Sequence, residues 1–127
     1  MERTVGVETP LLLEKELSFS KIYVQVTRLG SDYNIVIQGG EKPHVGCTVL
    51  AVPRPSLKGD GRISTTASVL NVTGHKDEMI CRYLAESISG RKNAVVVCTG
   101  GFHIDGIEEG QIQEVLDAVR EMERQIP

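Results

Sequence analysis

The stretch STTASVLNVTGHKDEMICRYLAESISGRKNAVVVCT, residues 64–99, combines two strand patterns with one helical pattern. Residues 64–72 are rich in the β-branched side chains that strands favour, and residues 94–99 form a short apolar run. Between them, apolar side chains recur at every fourth position, at Ile80, Leu84 and Ile88, beside Tyr83. That spacing places them on one face of a helix, so the stretch predicts a strand, a helix and a second strand.

The limits of this helix follow from its flanking residues. The segment GHKDE at 74–78 opens it, and the acidic pair in that segment complements the positive end of the helix dipole. Gly90 is expected to mark the end, because glycine accommodates the backbone turn that follows many helices. We expect this helix to be a right-handed crossover between its two strands.

The residues before this unit predict three more strands. Lys21–Leu29 and residues 33–38 alternate apolar and polar side chains around the turn signal at 30–32, which is the pattern of a β-hairpin. Residues 45–52 are nearly continuous in apolar side chains, which indicates a strand covered on both faces. Near the C-terminus, an apolar stripe predicts a closing helix, at Ile112, Val115, Leu116, Val119 and Met122.

The element order is therefore β-β-β-β-α-β-α, with both helices in the C-terminal half. This order predicts an α+β two-layer sandwich built on a mainly antiparallel sheet. A chain of 127 residues has room for one hydrophobic core, so we expect a single α+β domain over residues 1–127. Residues 1–20 form an N-terminal extension and are a candidate for dimer contacts.

Composition limits the classes of partner. The net charge of −3 and the scarcity of aromatic residues argue against nucleic acid as the main ligand. The only early apolar run, at 11–13, lacks a basic start and is too short for a signal peptide or a membrane span. Three widely spaced cysteines are expected to be small buried side chains, at Cys47, Cys81 and Cys98. These features together predict a cytoplasmic protein with no membrane partner.

Each of the three histidines stands at the end of a predicted strand, at His44, His75 and His103. These positions converge if the third and fourth strands pair antiparallel and the crossover joins parallel strands. Lys76 and Asp105 then lie among them. A single loop histidine is more often a capping residue than a ligand, but three histidines that converge beside glycines indicate a binding site.

A second candidate is the basic loop at 54–62, in which Arg54, Ser56, Lys58 and Arg62 could hold a phosphate by charge-assisted hydrogen bonds. A solvated surface loop explains the same residues equally well. This loop should lie at the end of the sheet opposite to the histidines, roughly 25 Å away for strands of this length. Both sets can serve one ligand if a second subunit brings its loop across, which favours a symmetric homodimer.

Three runs in the same order resemble one known family: GGEKPHVGCTVLAVPRPSL at 39–57, STTASVLNVTGHKDE at 64–78 and GFHIDGI at 101–107. They resemble the LpdD-like proteins, which are chaperones for prenylated flavin mononucleotide and accompany UbiD-type decarboxylases. The resemblance covers the chain from about residue 39 to its C-terminus. It implies a non-enzyme that binds the reduced, prenylated cofactor and hands it to the decarboxylase, with a flavin prenyltransferase as a second candidate partner.

The resemblance also suggests roles for individual residues. A flavin nucleotide offers one phosphate, which suits Arg54, Ser56 and Lys76. Its polar ring edge suits three histidines together with a neighbouring carboxylate, namely His44, His75, His103 and Asp105. Gly39 and Gly40 would let the ligand lie against the backbone.

Two alternatives from other classes of function stay open at this point. The first is a small metal-dependent hydrolase or lyase, in which three histidines and one aspartate bind a divalent ion, at His44, His75, His103 and Asp105. The spacing of these residues matches no established metal motif. The second is a structural interaction module in which the loops are only turns. No assembled acid and base pair is evident in the sequence, which favours a carrier over a catalyst.

Overall fold

The computed structural model describes residues 9–72 and 76–127. In this part of the chain it contains six strands and two helices. They are β1 (Leu11–Glu16), β2 (Lys21–Leu29), β3 (Asp32–Gly40), β4 (Cys47–Pro55), β5 (Ile63–Asn71), α1 (Lys76–Lys92), β6 (Val96–His103) and α2 (Glu109–Glu123). The helices lie in the C-terminal half, as predicted.

The six strands form one sheet in the order β1-β2-β3-β6-β4-β5. The predicted hairpin is confirmed, since β2 and β3 pair antiparallel around a two-residue turn that begins with Gly30 at φ 64°. β6 is inserted between β3, to which it is parallel, and β4, to which it is antiparallel. Because β4 also pairs antiparallel with β5, the strands β5 and β6 run in the same direction on either side of β4. The mostly antiparallel sheet confirms the predicted α+β class.

Both helices lie against the same face of the sheet. α1 packs on β4, β5 and β6, while α2 packs on α1 and on the first two strands. Alternate residues of the central strands are fully buried under the helices, for example Ile35 and Ile37 of β3. The predicted helical face is confirmed, because Ile80, Leu84 and Ile88 are all buried. We call the opposite, uncovered face of the sheet the open face.

The open face corrects the expectation that the strand at 45–52 is covered on both sides. Leu50 and Val52 of β4 point to the open face and are exposed, whereas Val49 and Ala51 are buried beneath the helices. The apolar side chains on this face replace the polar ones that usually alternate in a half-covered strand. The continuous apolar run therefore led to a wrong prediction, because the helices cover only one face of this strand.

Three element limits also differ from the sequence patterns. β1 forms within the predicted N-terminal extension, where Leu11 and Leu13 pack against the core. The predicted strand over the apolar run at 94–99 extends further, because β6 continues through His103. α1 passes through Gly90 and ends at Lys92, since Asn93 takes the left-handed conformation at φ 51° that commonly follows a helix.

The cysteine prediction is confirmed. Cys47, Cys81 and Cys98 are free and fully buried between α1 and the sheet. Burial raises the pKa of the Cys47 thiol to about 12, and it raises the pKa of the Cys98 thiol well above its usual value. Both thiols therefore stay protonated near neutral pH, where a protonated thiol is a poor nucleophile.

Candidate functional site

The ends of β3 and β6 and the start of β4 lie together at one end of the sheet. The register pairs Gly40 with His103 and Cys47 with Gly100. We call this the glycine end, because it contains a cluster of glycines: Gly39, Gly40, Gly46, Gly100 and Gly101. The loop at 41–46 connects β3 to β4 across it. The histidine-containing segments before β4 and at the end of β6 therefore meet, as the sequence predicted.

The glycines are needed for the close contact of the backbone segments here. Gly100 has φ +143°, and a Cβ atom at this position would overlap the carbonyl group of Ile37 on β3. A Cβ atom at Gly101 would lie 2.8 Å from Cε1 of His44. Side chains at these two positions would separate the strands or push the His44 ring away. The glycine end is therefore built around the position of His44.

His44 is held by two oxygen atoms. Its Nδ1 lies 3.0 Å from the carbonyl oxygen of Lys42, and its Nε2 lies 3.0 Å from Oδ2 of Asp77. A carbonyl and a carboxylate both accept hydrogen bonds, so both contacts form together when the ring carries a proton on each nitrogen. The His44 ring is then a cation, and it keeps about a third of its side-chain surface exposed.

Asp77 joins this histidine to the sheet. Its other oxygen, Oδ1, accepts a 2.9 Å hydrogen bond from the backbone N–H of Phe102 on β6. The residue is only 4% exposed, and a Cβ atom at Gly46 would overlap its carboxylate. A buried carboxylate with two partners is strongly oriented. Asp77 therefore fixes the first turn of α1, β6 and the His44 ring relative to one another.

His103 forms a second histidine and aspartate pair, which is more exposed. Its Nε2 lies 2.7 Å from Oδ1 of Asp105, whose side chain is 87% exposed. No described residue hydrogen-bonds to its Nδ1. The rings of His103 and His44 are nearly perpendicular, at 87°, with centroids 6.0 Å apart. Two histidine rings, each held by a carboxylate, therefore face the same space.

A groove lies beside these rings on the open face. It has a volume of about 230 Å³, with walls formed by the loop residues Pro43, His44 and Val45. Its floor is formed by Val36, Gln38 and Thr99 of β3 and β6. The lining of the groove is therefore mainly apolar, with polar groups from Gln38, Thr99 and His44. Its volume is below the usual range for sites that enclose a whole small ligand.

The basic loop lies at the opposite end of the sheet, as the strand directions predicted. Arg54 pairs in register with Ser64, and its guanidinium donates to Oγ1 of Thr66 and to the carbonyl of Pro55. The Ser56 hydroxyl accepts from the backbone N–H of Lys58. Within one chain these side chains do not meet the histidines, because most of the length of β4 lies between them.

Two of the predicted site residues, His75 and the side chain of Lys76, lie outside the described residues. Their assignments remain predictions. In the sequence, Asp77 stands out only as an acidic residue of the first helical turn, and nothing there places it in the site. Its position next to the His75-Lys76 pair was a local signal, but its bonds to Phe102 and His44 join residues that are far apart in the chain.

The donor arrangement does not support the metal-dependent alternative. Among residues 9–72 and 77–127, no three histidine, cysteine or acidic side chains are grouped so that they could hold a metal ion. Both nitrogens of His44 already face oxygen atoms of Lys42 and Asp77, so neither is directed at a free coordination position. In the same part of the chain, no helix is long and apolar enough to span a membrane.

Comparison with known proteins bears on both fold and family. A comparison with curated proteins found no match. Among solved structures, a chain from a chaperone complex for yeast 20S proteasome assembly matches with a TM-score of 0.51 and 16% identity, covering 92% of this chain and 95% of that one. At this identity the similarity concerns the fold alone. The model of one family, the prenylated flavin chaperone LpdD-like domain, matches residues 18–127. The chain therefore belongs to the family of prenylated flavin chaperone LpdD-like domains.

Proposed function

We propose that this protein binds reduced prenylated flavin mononucleotide and assists its insertion into a UbiD-type decarboxylase. The observation that carries the proposal is the pair of carboxylate-held histidines at the glycine end, in a chain of this family. The protein acts as a carrier rather than an enzyme. The flavin prenyltransferase that makes the cofactor is the expected donor, and the decarboxylase is the expected recipient.

The chemistry of the glycine end suits a reduced flavin ring. When His44 donates to both of its oxygen partners, its ring is positively charged and favours electron-rich or anionic ligands, and Nδ1 of His103 can exchange a hydrogen bond with a polar ring edge. Gly39 and Gly40 stay in the proposed set through their backbone groups, because the side-chain positions of both are occupied by the protein itself, by Lys21 and Phe102 at Gly39 and by His103 at Gly40. The lining of the groove offers a ring system an apolar surface together with polar atoms of Gln38, Thr99 and His44. His75 and Asp105 complete the proposed set around the ring.

The phosphate of the ligand is assigned to Arg54, Ser56 and Lys76. A guanidinium and a hydroxyl bind phosphate oxygens by charge-assisted hydrogen bonds. The groove in one chain is too small for a whole mononucleotide, and Arg54 lies at the other end of the sheet. We therefore propose a homodimer in which each site combines the glycine end of one chain with the basic loop of the other.

The first prediction concerns binding itself. Anaerobic titration with reduced prenylated flavin mononucleotide should show saturable binding near one ligand per chain, because each chain contributes one glycine end. Fluorescence or absorbance of the ligand measures the bound fraction. A protein of similar size and charge serves as the control. Affinity no higher than for that control would eliminate the proposed function.

The second prediction concerns the phosphate. Replacing Arg54 with alanine should weaken binding by roughly 1.5 to 3 kcal/mol, the range for a hydrogen bond to a charged group. Arg62→Ala is the matched control, because this arginine belongs to the same loop and its side chain is 85% exposed. The comparison ligand is the prenylated riboflavin form, which has no phosphate. If Arg54→Ala weakens that ligand equally, Arg54 does not bind the phosphate.

A further inference from the structure

The two lateral edges of the sheet differ in their protection against pairing with another strand. β1 is six residues long and carries the charged sequence Glu14, Lys15 and Glu16. All three side chains form ion pairs, Glu14 and Glu16 with Lys21 and Lys15 with Glu121. Charged side chains on a short strand are a common device that keeps an edge from associating. The β1 edge is therefore protected.

β5 has none of these devices. Its nine residues, ISTTASVLN, include no charged side chain and no proline, and its register with β4 continues without a bulge. In the described part of the chain, no strand pairs with its outer side. A long uncharged edge of this kind is a template for pairing with a further strand.

The backbone hydrogen bonds show which groups of β5 point outward. At one end of the ladder the Val72 N–H donates to the Gly46 carbonyl, and at the other end the Ser56 N–H donates to the Arg62 carbonyl. Bonded and non-bonded pairs alternate along an antiparallel ladder, so the even-numbered residues of β5 bond to β4. The odd-numbered residues direct their N–H and C=O groups outward: Ile63, Thr65, Ala67, Val69 and Asn71.

We propose that β5 pairs antiparallel with β5 of a second copy of this chain, about a two-fold axis at Ala67. In this register Ala67 faces Ala67 of the second copy, Thr65 faces Val69, and Ile63 faces Asn71. All five outward-facing residues then bond, whereas a shift by two residues in either direction leaves some of them without a partner. The result is one continuous sheet of twelve strands, in an arrangement where each copy presents the same surface.

The charges beside this edge are complementary in the same register. Glu86 of α1 lies level with Thr65, because the Thr65 hydroxyl donates to the Glu86 carboxylate at 3.4 Å. Glu78 lies level with Asn71, because the Asn71 amide donates to the Glu78 carboxylate at 2.8 Å. Arg82 lies between them on the helix and contacts Glu86 at 2.8 Å. Pairing about Ala67 brings Arg82 of each copy to within about one strand residue of the level of Glu86 in the other. The charge nearest to Arg82 across the two-fold axis is therefore of opposite sign, about one strand residue away in level against about two for the second Arg82, and this favours a second copy as the occupant of this edge.

The same register brings Arg54 of the second copy toward the glycine end, which Arg54 of the same chain does not reach. On the open face, Thr99 pairs with Thr48, and Thr48 pairs with Leu70. Leu70 would face Ser64 of the second copy, which pairs with Arg54 of that copy. Arg54 of the second copy thus lies in the same row as Thr99 of the groove, four strand spacings or about 19 Å away. An extended nucleotide and an arginine side chain can bridge such a span. This role in ligand binding rests on the proposed function, whereas the interface itself does not.

The interface is tested without ligand. Wild-type protein should sediment as a dimer at micromolar concentration. The double variant Thr66→Lys and Ser68→Lys puts lysines directly opposite each other and should raise the dimer dissociation constant at least about tenfold. The matched variant Thr66→Glu and Ser68→Lys puts opposite charges at the same positions and should remain dimeric. Thr66 also accepts a hydrogen bond from Arg54, which a glutamate can replace and a lysine cannot, so denaturant unfolding of both double variants separates a change in stability from a change in dimer affinity.

Cysteine cross-linking tests the register and does not depend on the charged variants folding. Ala67→Cys should form a covalent dimer on mild oxidation, because the two Cα atoms of a directly opposed pair are close enough for a disulfide. Leu70→Cys should not, although its side chain is 75% exposed in the wild type, because the two copies of residue 70 lie far apart. Monomeric wild-type protein, an equally tight lysine variant or a covalent dimer only from Leu70→Cys would each overturn the proposal. A dimer that passes these tests but binds no flavin would remove the proposed function and leave the interface standing.

Discussion

Replacing Asp77 with alanine should lower the free energy of unfolding by about 3 kcal/mol and abolish the ordered position of His44. The buried carboxylate accepts the backbone N–H of Phe102 and contacts the His44 ring, so its removal leaves a buried donor without a partner. Denaturant unfolding measures the stability change. Asp105→Ala is the matched control, because it removes the carboxylate of the exposed histidine pair and should cost less than about 0.5 kcal/mol.

Asp77→Asn separates the two roles of this residue. Its amide oxygen can still accept from Phe102, so most of the stability should be retained. The negative charge is lost, and the amide N–H₂ group can donate to Nε2 of His44, which is then the acceptor of this hydrogen bond. Nitrogen NMR of the histidine ring should detect this change, and the affinity for reduced prenylated flavin should fall together with it. If Asp77→Ala were as stable as wild type, or if Asp77→Asn left the ring unchanged, the assigned role would be wrong.

Combining two variants with weakened binding in one dimer should restore about half of the wild-type number of high-affinity sites. In a mixed dimer, one chain carries Arg54→Ala and the other carries His103→Ala. If each site combines His103 of one chain with Arg54 of the other, one site receives both substitutions and the second receives neither. Titration of purified mixed dimers, with a different affinity tag on each chain, measures the number of intact sites. The two homodimeric variants are the controls, and each should have both sites weakened.

The opposite result is equally clear. If each site is built within one chain, every site in the mixed dimer carries one substitution, and no high-affinity site returns. The number of high-affinity sites per mixed dimer therefore distinguishes a shared site from two independent ones, whatever the absolute affinities are. Chain exchange must be complete before titration, which the two tags can verify.

Much of the fold could be predicted because it depends on local patterns. The alternation in β2 and β3 indicated the hairpin, and the recurrence of Ile80, Leu84 and Ile88 indicated the buried face of α1. These signals depend on the repeat of a strand or a helix, so neighbouring residues contain them. β1 was missed because three consecutive leucines show no alternation, and only pairing with β2 and contact with the core make that segment a strand.

The candidate site was predictable only in part, for a physical reason. The sequence alone determined that strand ends with histidines and glycines would gather at one end of an α+β sheet, and that the basic loop would lie at the other. Only the tertiary structure decided that β6 enters between β3 and β4, which puts Gly101 against His44. It also revealed Asp77 as the residue that holds that ring, because its bonds reach 25 and 33 residues along the chain. Contacts of this length leave no periodic trace in a sequence, since they depend on how whole elements pack rather than on the repeat within any one of them.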